Sequence, residues 1–380
     1  MLDSFYINNF RLFQSLKIKR LNRVNLIVGR NNSGKSTLLE ALELYASNAA
    51  PTVILDLVEN RQETWFSEAQ PKSQNLTSNA VRHLFFGHNL PKVGEQGIVL
   101  GEMTSLSKLH IGAAAYQFKS DDEGTTRRIR ISETQMSLFD IEEDLANVDI
   151  YLIAEDGERT RRLLRLDRSI RDERRFGPRS LFNSEENNYK FTFQIIPTNN
   201  MPNKKLAALW DLTSLTNLDS EVISALRLID ERVSGVGFVE DVSQRRSEDN
   251  RIPLVKIDGI DEPLPLKSMG DGITRLFHMI VALVNAQDGL LLIDEFENGL
   301  HWSVQSKVWE VVFQLSEKLN VQVFATTHSR DCIEGFDSTW NKYPALGTFL
   351  RLDFKDEMIK ATEYTSETLS DAIDMDVEVR

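Results

Sequence analysis

The sequence predicts an α/β protein with buried parallel strands in its central sheet. Three short apolar runs carry this prediction: Leu26–Val28, Leu290–Ile293 and Val321–Ala325. Strands that are buried on both faces read as continuous apolar runs. Ligands of such sheets bind beyond the carboxyl ends of the strands. The residues that directly follow the three runs are therefore the first candidates for a functional site.

A glycine-rich segment follows the first run. It reads Gly29-Arg30-Asn31-Asn32-Ser33-Gly34-Lys35-Ser36 and fits the phosphate-binding pattern G-x-x-x-x-G-K-[ST] between a strand and a helix. The weaker interpretation is a glycine turn that merely opens a helix. Loop N–H groups would bind phosphates, Lys35 would reach the β- and γ-phosphates, and the Ser36 hydroxyl would ligate Mg²⁺. The predicted cofactors are ATP and Mg²⁺, and the predicted nucleotide-binding residues here are Gly29, Asn31, Asn32, Ser33, Gly34, Lys35, Ser36 and Thr37.

Acidic residues follow the second run, and a histidine follows the third. Asp294-Glu295 after four apolar residues is a Walker B pattern, in which Asp294 would hold the Mg²⁺ shell and Glu295 would polarise the attacking water. His328 would hydrogen-bond the γ-phosphate and sense whether ATP or ADP is bound. The sequence thus predicts Lys35, Glu295 and His328 as catalytic residues and Ser36 and Asp294 as metal-binding residues.

A second anion-binding segment precedes an apolar helix predicted over Ile273–Ala286. It reads Ser268-Met269-Gly270-Asp271-Gly272, with a serine and two glycines at a helix N-terminus. Because the P-loop helix already holds the phosphates, we expect a composite site between two copies of the chain. Ser268, Gly270 and Gly272 of one copy would then close on the ATP of the other.

The rest of the chain alternates short elements with turns. Hairpins are predicted for Ile111–Lys119 with Thr125–Ile131, and for Val148–Ala154 with Arg161–Leu166. The P-loop helix is expected to stop near Tyr45, before Pro51. The other predicted elements are strands Phe5–Ile7, Leu16–Ile18, Tyr189–Ile196, Gly237–Val242 and Leu254–Ile257, edge strands Leu346–Leu352 and Met358–Tyr364, and helices Ser78–Phe86, Lys204–Leu212, Ser220–Ile229, Trp302–Leu319 and Ser366–Ile373.

Composition narrows the protein class. The 380 residues contain no apolar run of about 18 residues, and the first residues have no signal-peptide pattern, so neither a membrane span nor secretion is expected. The single cysteine, Cys332, excludes an intramolecular disulfide and favours a cytoplasmic location. A net charge of −13 disfavours bulk nucleic-acid binding.

One segment of this acidic protein has a positive net charge. Residues Arg159–Arg179 contain nine arginines and three acidic residues, a local net charge of +6. A solvated hairpin and loop is one interpretation of this segment. Contact with the phosphate backbone of a nucleic acid, or with an acidic partner, is the other.

The order of these motifs resembles the ABC-type ATPases, and most closely their OLD/RecF-like branch, often labelled "AAA family ATPase". The opening Ile7-Asn8-Asn9-Phe10-Arg11, the P-loop, and the segments Glu297–His301 and Ala325–Ser329 carry the resemblance, which is strongest over residues 1–45 and 264–335. It implies an α/β ABC-ATPase head with a mixed sheet. The core would comprise residues 1–47 and 235–380, and an inserted α+β region, 48–234, would partly complete the head.

The resemblance also implies roles for single residues. Arg11 would approach the nucleotide, Ser268, Gly270 and Gly272 would contact the γ-phosphate in trans, and residues 297–301 would cross the dimer interface. The insertion is too short for coiled-coil arms, and the 52 residues after His328 leave no room for the TOPRIM nuclease domain of OLD proteins.

A stand-alone ATPase of this kind resembles the ATPase components of two-component anti-phage systems such as Septu and PARIS. The sequence therefore predicts an ATPase that forms a head-to-tail homodimer or higher oligomer on ATP. This ATPase would regulate or scaffold a separately encoded effector, which is expected to be a nuclease. The alternative is a RecF-like ATPase that acts directly on nucleic acid.

Overall fold

The computed structural model describes residues 1–65, 79–120, 126–131, 148–157, 159–166, 188–240 and 251–379. Within these ranges the chain forms eight α-helices and three sheets. The strands are β1 Phe5–Phe10, β2 Phe13–Ile18, β3 Val24–Val28, β4 Ile98–Gly101, β5 Leu109–Ser120, β6 Thr126–Ile131, β7 Val148–Asp156, β8 Arg159–Arg165, β9 Phe193–Ile196, β10 Val233–Glu240, β11 Arg251–Ile257, β12 Leu264–Pro265, β13 Leu290–Ile293, β14 Gln322–Thr326, β15 Gly347–Lys355 and β16 Met358–Tyr364. The helices are α1 Lys35–Ala46, α2 Pro51–Asn60, α3 Asn203–Leu215, α4 Asp219–Leu226, α5 Asp271–Val284, α6 Trp302–Lys318, α7 Arg330–Lys342 and α8 Ser366–Asp374.

The core sheet has six strands in the order β16-β15-β3-β14-β13-β9. Five of them run parallel, and β16 pairs antiparallel with β15 at one edge. All five residues of β3 and all four of β13 are buried, and the one polar residue among them, Asn25, donates to the carbonyls of Asn22 and Val323. The mixed sheet with helices confirms the predicted α/β class.

A second sheet is antiparallel and contains both predicted hairpins. Its order is β2-β1-β4-β5-β7-β8, and β6 pairs with β5. Ser120 pairs with Thr126 and Asp156 with Arg159, so both predicted hairpins form. A small third sheet joins β10, β11 and β12.

The two faces of the core sheet carry different hydrophobic clusters because successive strand residues point to opposite faces. Leu26 and Val28 of β3 belong to the cluster that contains the buried residues of α5 and α6. Ile27, between them, belongs to the cluster formed with α1, α2 and the antiparallel sheet. The core sheet therefore lies between a layer that contains α5 and α6 and a layer that contains α1, α2 and the antiparallel sheet.

Three predictions on element positions were wrong. β15 was expected at an edge, but it lies inside the sheet between β3 and β16. The predicted strand Tyr189–Ile196 begins only at Phe193. The predicted helix near Ser78–Phe86 is, in its described part, a 3₁₀-helix over Ala80–Leu84.

Two helices were not predicted from the sequence. Pro51 is the first residue of α2 rather than a mere stop signal, because its fixed φ and missing N–H suit the first helical position. The helix α7 follows the motif that contains His328 and begins at a Ser329 cap.

The region 48–234 contributes directly to the core sheet. Its strand β9 pairs in parallel with β13, and Ile293 lies opposite Ile196. Arg168–Arg179 of the basic segment lie outside the described residues, as does most of the polar loop 243–251. No helix in the described ranges is long and apolar enough to cross a membrane.

Gly289 fixes the entry of β13 into the sheet. A Cβ atom on this residue would lie 1.9 Å from the Thr192 carbonyl oxygen, which accepts the Leu290 N–H at 2.8 Å. Because the obstacle is backbone, we expect Gly289→Ala to lower the free energy of unfolding by about 1–3 kcal/mol, the usual cost of overpacking. Gly237→Ala is the control, since its Cβ would meet nothing within 4 Å. Equal midpoints of thermal unfolding for the two variants would contradict this assignment.

Candidate nucleotide-binding and hydrolysis site

Four adjacent strands of the core sheet bring the predicted motifs together. Their order is β3-β14-β13-β9, and all four run parallel. The P-loop follows β3, His328 follows β14, Asp294 follows β13 and Thr198 follows β9. Since parallel strands end at one edge of a sheet, segments far apart in the sequence meet there.

The P-loop leaves β3 and enters α1 at Lys35. Gly34 has a φ of 93°, and a Cβ at this residue would lie 2.8 Å from the Phe13 ring, so glycine is required on both counts. No side chain caps α1. Its first N–H groups are therefore available for an anion. Ser33 Oγ is buried and has no hydrogen-bond partner in the described part of the chain, as expected of a phosphate cradle.

The Lys35 side chain is folded under the loop. Its Nζ donates to the Gly29 carbonyl at 2.8 Å and to the Arg30 carbonyl at 3.1 Å. Burial lowers the pKa of Lys35, and the nearby carboxylates of Asp294, Glu295 and Glu297 act in the opposite direction. The ammonium group thus lies within the field of the Walker B acids.

Three hydroxyl groups from three segments bind the Asp294 carboxylate. Ser36 Oγ lies 3.1 and 3.0 Å from its two oxygens, Thr326 Oγ1 lies 2.7 Å from Oδ1, and Thr198 Oγ1 lies 3.3 Å from Oδ2. The side-by-side oxygens of Ser36 and Asp294 are the hard donors that Mg²⁺ prefers. They would hold the ion, which would neutralise charge on the phosphates.

A buried arginine holds the chain where β13 and β9 end. Arg275, on α5, is 1% exposed and donates to the backbone oxygens of Asp294 at 2.7 Å, Glu295 at 3.0 Å and Pro197 at 2.8 Å. It also donates to Asn200 Oδ1 at 2.8 Å. Burial lowers the pKa of Arg275 to about 10. No sequence pattern indicated this role, because Arg275 lies inside an apolar helix.

The two glutamates after β13 have different contacts. Glu295 has a positive φ of 51°, its N–H donates to Thr326 Oγ1 at 2.9 Å, and its side chain lines the cleft. Glu297 instead accepts from Thr327 Oγ1 at 2.7 Å and from the His328 N–H at 2.8 Å. Glu297 therefore fixes the backbone that presents His328, a role the sequence patterns did not show.

The cleft has a volume of about 240 Å³ and contains most of the predicted site. Its lining includes Lys35, Asp294, Glu295 and His328. These residues are neighbours, as expected from their positions after parallel strands. The remaining lining residues are Leu12, Asn31, Asn32, Ser33, Gly34, Ser36, Thr37 and Arg61. Leu12 and Arg61 were not predicted, because each lies in a segment without a recognisable motif.

Arg11 lies behind the cleft and does not line it. Its guanidinium forms ion pairs with Glu40 at 2.8 Å and Glu63 at 2.6 Å and donates to the Leu57 carbonyl at 2.9 Å. Glu40 also binds Arg61 at 2.7 and 3.0 Å. Arg11 thus positions, through Glu40, the arginine that does face the nucleotide cleft.

The segment before α5 does not line this cleft either. Ser268 Oγ donates to the Pro265 carbonyl at 2.7 Å, and Ser268 and Gly270 are exposed. Gly270 has a φ of 97°, and α5 begins at Asp271. A Cβ on Gly272 would lie 3.2 Å from the Gly299 carbonyl oxygen, so the start of α5 packs on the 297–301 segment.

Comparison with known proteins identifies the family. Residues 1–77 and 114–333 match the AAA ATPase domain. The chain belongs to this family. It is an ATPase and binds nucleotide, in agreement with the paired phosphate-binding and Walker B elements of the cleft.

Two relatives are similar to this chain. An "ATP/GTP phosphatase" of Helicobacter pylori is 27% identical over 354 residues, which cover 89% of this chain and 88% of that protein. An uncharacterized protein of Methanocaldococcus jannaschii is 45% identical over 47 residues, 12% of this chain and 22% of that protein.

Solved structures of SMC heads are also similar to this chain. The SMC head bound to the C-terminal winged-helix domain of ScpA has a TM-score of 0.48 at 11% identity, covering 96% of this chain and 98% of that one. The SMC head domain from Thermotoga maritima has a TM-score of 0.42 at 13% identity, with the same coverage.

Thr326 is the hydroxyl that joins Asp294 to the Glu295 backbone. We expect Thr326→Val to raise the Mg²⁺ concentration needed for half-maximal ATP hydrolysis by about 10–100-fold, the usual effect of removing a residue that orients a metal ligand. Thr326→Ser keeps the hydroxyl and is the matched control. A Mg²⁺ titration of ATP hydrolysis measures the effect, and equal curves for both variants would show that the hydroxyl is dispensable.

Proposed function

We propose that the chain hydrolyses ATP with Mg²⁺ in a composite site formed by two copies arranged head to tail. One observation carries the proposal: the P-loop, Walker B acids and His328 share one cleft, whereas Ser268, Gly270 and Gly272 lie outside it. The second anion-binding segment therefore has no nucleotide within its own chain. A second copy would supply one.

Each residue of the cleft has a role in this proposal. The N–H groups of the loop and of α1 bind the phosphates, and Lys35 leaves the carbonyls of Gly29 and Arg30 to pair with them. Ser36 and Asp294 hold the ion. Glu295 accepts a proton from the attacking water, and His328 binds the γ-phosphate.

The exposed start of α5 suits a role in trans. Gly270 has open space around it, so a phosphate can approach the backbone closely. The segment 297–301 packs on the same helix start and continues from Asp294-Glu295. The contact between two copies would thus link the γ-phosphate of one to the Walker B segment of the other.

Glu295→Gln tests both hydrolysis and dimerisation. Without the general base we expect turnover to fall by about 10²–10⁴-fold. ATP should remain bound, so the 43.4 kDa chain should double its mass in ATP and Mg²⁺. Size-exclusion chromatography with light scattering measures this.

The control keeps nucleotide binding and alters only the trans surface. Glu295→Gln combined with Ser268→Asp should bind a fluorescent ATP analogue normally but stay monomeric, because Ser268 is exposed and the added carboxylate repels the partner's phosphates. A monomeric Glu295→Gln protein with bound ATP would refute the composite site, whereas loss of ATP binding would refute the assignment of the cleft itself.

We further propose that this ATPase works in the cytoplasm and controls a separately encoded effector, a nuclease, in defence against phage. The motif order supports this through its resemblance to the ATPase components of such systems. The ATPase cleft would then signal to another protein.

A plating assay tests the defence role. Cells that carry the native locus with its neighbouring genes should give fewer plaques than cells whose locus carries Lys35→Ala. A neighbouring gene that encodes a nuclease should be required for the effect. Equal plaque counts across a broad phage panel, at matched protein levels, would count against the defence proposal. This result would not affect the assignment of ATPase activity.

Direct action on nucleic acid is the second candidate function, and the local positive charge of β8 favours it. Four arginines lie on this seven-residue strand. One of them, Arg161, contacts the Asn48 carbonyl inside the protein and is half-buried. ATP hydrolysis stimulated by duplex DNA would support this candidate over the effector proposal.

A further inference from the structure

A second cavity borders the P-loop on the side away from the Walker B acids, because β15 and β13 lie on opposite sides of β3. It has a volume of about 470 Å³ and shares Asn31, Asn32 and Ser33 with the nucleotide cleft. Its other wall is the end of β15, which runs parallel to β3 and therefore ends at the same edge of the sheet. We call this cavity, between residues 30–33 and 351–355, the β15 pocket.

The β15 pocket is positively charged in a protein that is acidic overall. Its charged lining residues are Arg30, Arg351, Lys355 and Asp353. Arg351 Nε pairs with Asp353 at 3.0 Å, so these two charges offset each other. The side chains of Arg30 and Lys355 are exposed and have no hydrogen bond or ion pair with any described residue. Two positive charges in excess therefore line the cavity.

An exposed aromatic ring lies beside these charges. Phe354 lines the same pocket and is 72% exposed. Leu350 and Leu352, on the same face of the strand, are fully buried, so Phe354 extends this apolar face into solvent. Aromatic side chains and arginine are enriched where proteins contact each other. The pocket thus suits an acidic segment that also carries an apolar residue.

The chain itself contains such a segment. β11 and β12 pair antiparallel, and residues 258–263 join them in a turn that we call the acidic turn. It contains Asp258, Asp261 and Glu262 and no basic residue, and Ile260 is 40% exposed. The three carboxylates are exposed and have no hydrogen bond or ion pair with any described residue.

We propose that the acidic turn of one copy docks into the β15 pocket of the other copy in the head-to-tail dimer. This inference rests on the composite site proposed above. The acidic turn ends five residues before Ser268, so it lies within about 18 Å of the segment that would bind the partner's γ-phosphate. On the receiving copy, the β15 pocket begins at residues of the P-loop itself. One approach of the two copies can therefore bring both pairs of surfaces together.

The net charge of the protein gives this contact a physical role. Each copy carries a charge of −13, so two copies repel each other as they approach. Opposite charges on two defined surfaces offset this repulsion locally and fix the relative orientation of the partners. Because two-fold symmetry repeats each contact, the dimer would contain two such docked turns, one beside each P-loop.

Cysteine cross-linking tests the contact on the full-length chain, because the single native cysteine, Cys332, is fully buried. We expect Asp261→Cys combined with Lys355→Cys, in the Glu295→Gln background, to form a disulfide-linked dimer when ATP, Mg²⁺ and diamide are present. Without ATP the same protein should remain monomeric on a non-reducing gel. Asp261→Cys with Lys318→Cys is the matched control and should not cross-link, since Lys318 is an exposed lysine at the far end of α6.

Charge reversal tests the same contact by dimer affinity. In the Glu295→Gln background, the turn variant carries Asp261→Lys and Glu262→Lys, and the pocket variant carries Phe354→Glu and Lys355→Glu. Each variant should bind the fluorescent ATP analogue normally but dimerise at least about tenfold more weakly, because like charges then face each other. An equimolar mixture should dimerise as the parent does, since a reversed turn meets a reversed pocket and a native turn meets a native pocket.

The outcomes separate this contact from the composite site. Dimerisation of both charge-reversed variants at the parent's affinity, or a mixture that stays monomeric, would refute the docked turn and leave the composite site standing. Cross-linking of the control pair to the same extent as the test pair would also overturn the docked turn. A Glu295→Gln parent that stays monomeric with ATP bound would instead refute the composite site, and the docked turn with it.

Discussion

The carboxylate of Asp294 is the point on which the site depends. It receives hydroxyl groups from Ser36 at the start of α1, Thr198 after β9 and Thr326 at the end of β14. These three residues belong to segments separated by up to 290 positions in the chain, so one side chain joins the ends of four parallel strands. A carboxylate that accepts several hydrogen bonds is held in one orientation. The oxygens that are proposed to bind Mg²⁺ are thereby oriented by contacts within the chain itself.

Arg275 completes this arrangement from the opposite side. Its guanidinium binds the backbone oxygens of Asp294, Glu295 and Pro197. Arg275 thus fixes the backbone at these residues, whereas the three hydroxyls fix the side chain of Asp294. Burying a charged group costs free energy unless hydrogen bonds compensate it. Here four acceptors do so. Arg275 therefore links α5 to the Walker B turn, and the proposed contact at Gly270 would reach Glu295 through this link.

The sequence predicted correctly those parts of the site whose positions follow from local residue patterns. The P-loop, Asp294-Glu295 and His328 could be predicted to meet because apolar runs identify parallel strands, and parallel strands end at one edge. Arg275, Glu297 and Arg61 could not, since their importance comes from tertiary neighbours that no spacing encodes. The position of β15 was missed for the same reason: Leu346–Leu352 has an apolar sequence, but only the pairing with β3 shows that it is internal. Arg11 illustrates the converse case, in which a family pattern points to the nucleotide and the side chain is engaged with Glu40 and Glu63.

The strand order has a consequence for the synthesis of the chain. β3 carries the P-loop and emerges from the ribosome early, yet both of its neighbours in the sheet, β14 and β15, lie beyond residue 320. At about 5–20 residues per second, roughly 15–60 s of translation separate the strand from its partners. During this interval the apolar residues of β3 have no sheet to join. A chain that ended before residue 321 would thus contain every phosphate-binding glycine and still have no assembled site. The site forms only in molecules that also contain β14 and β15.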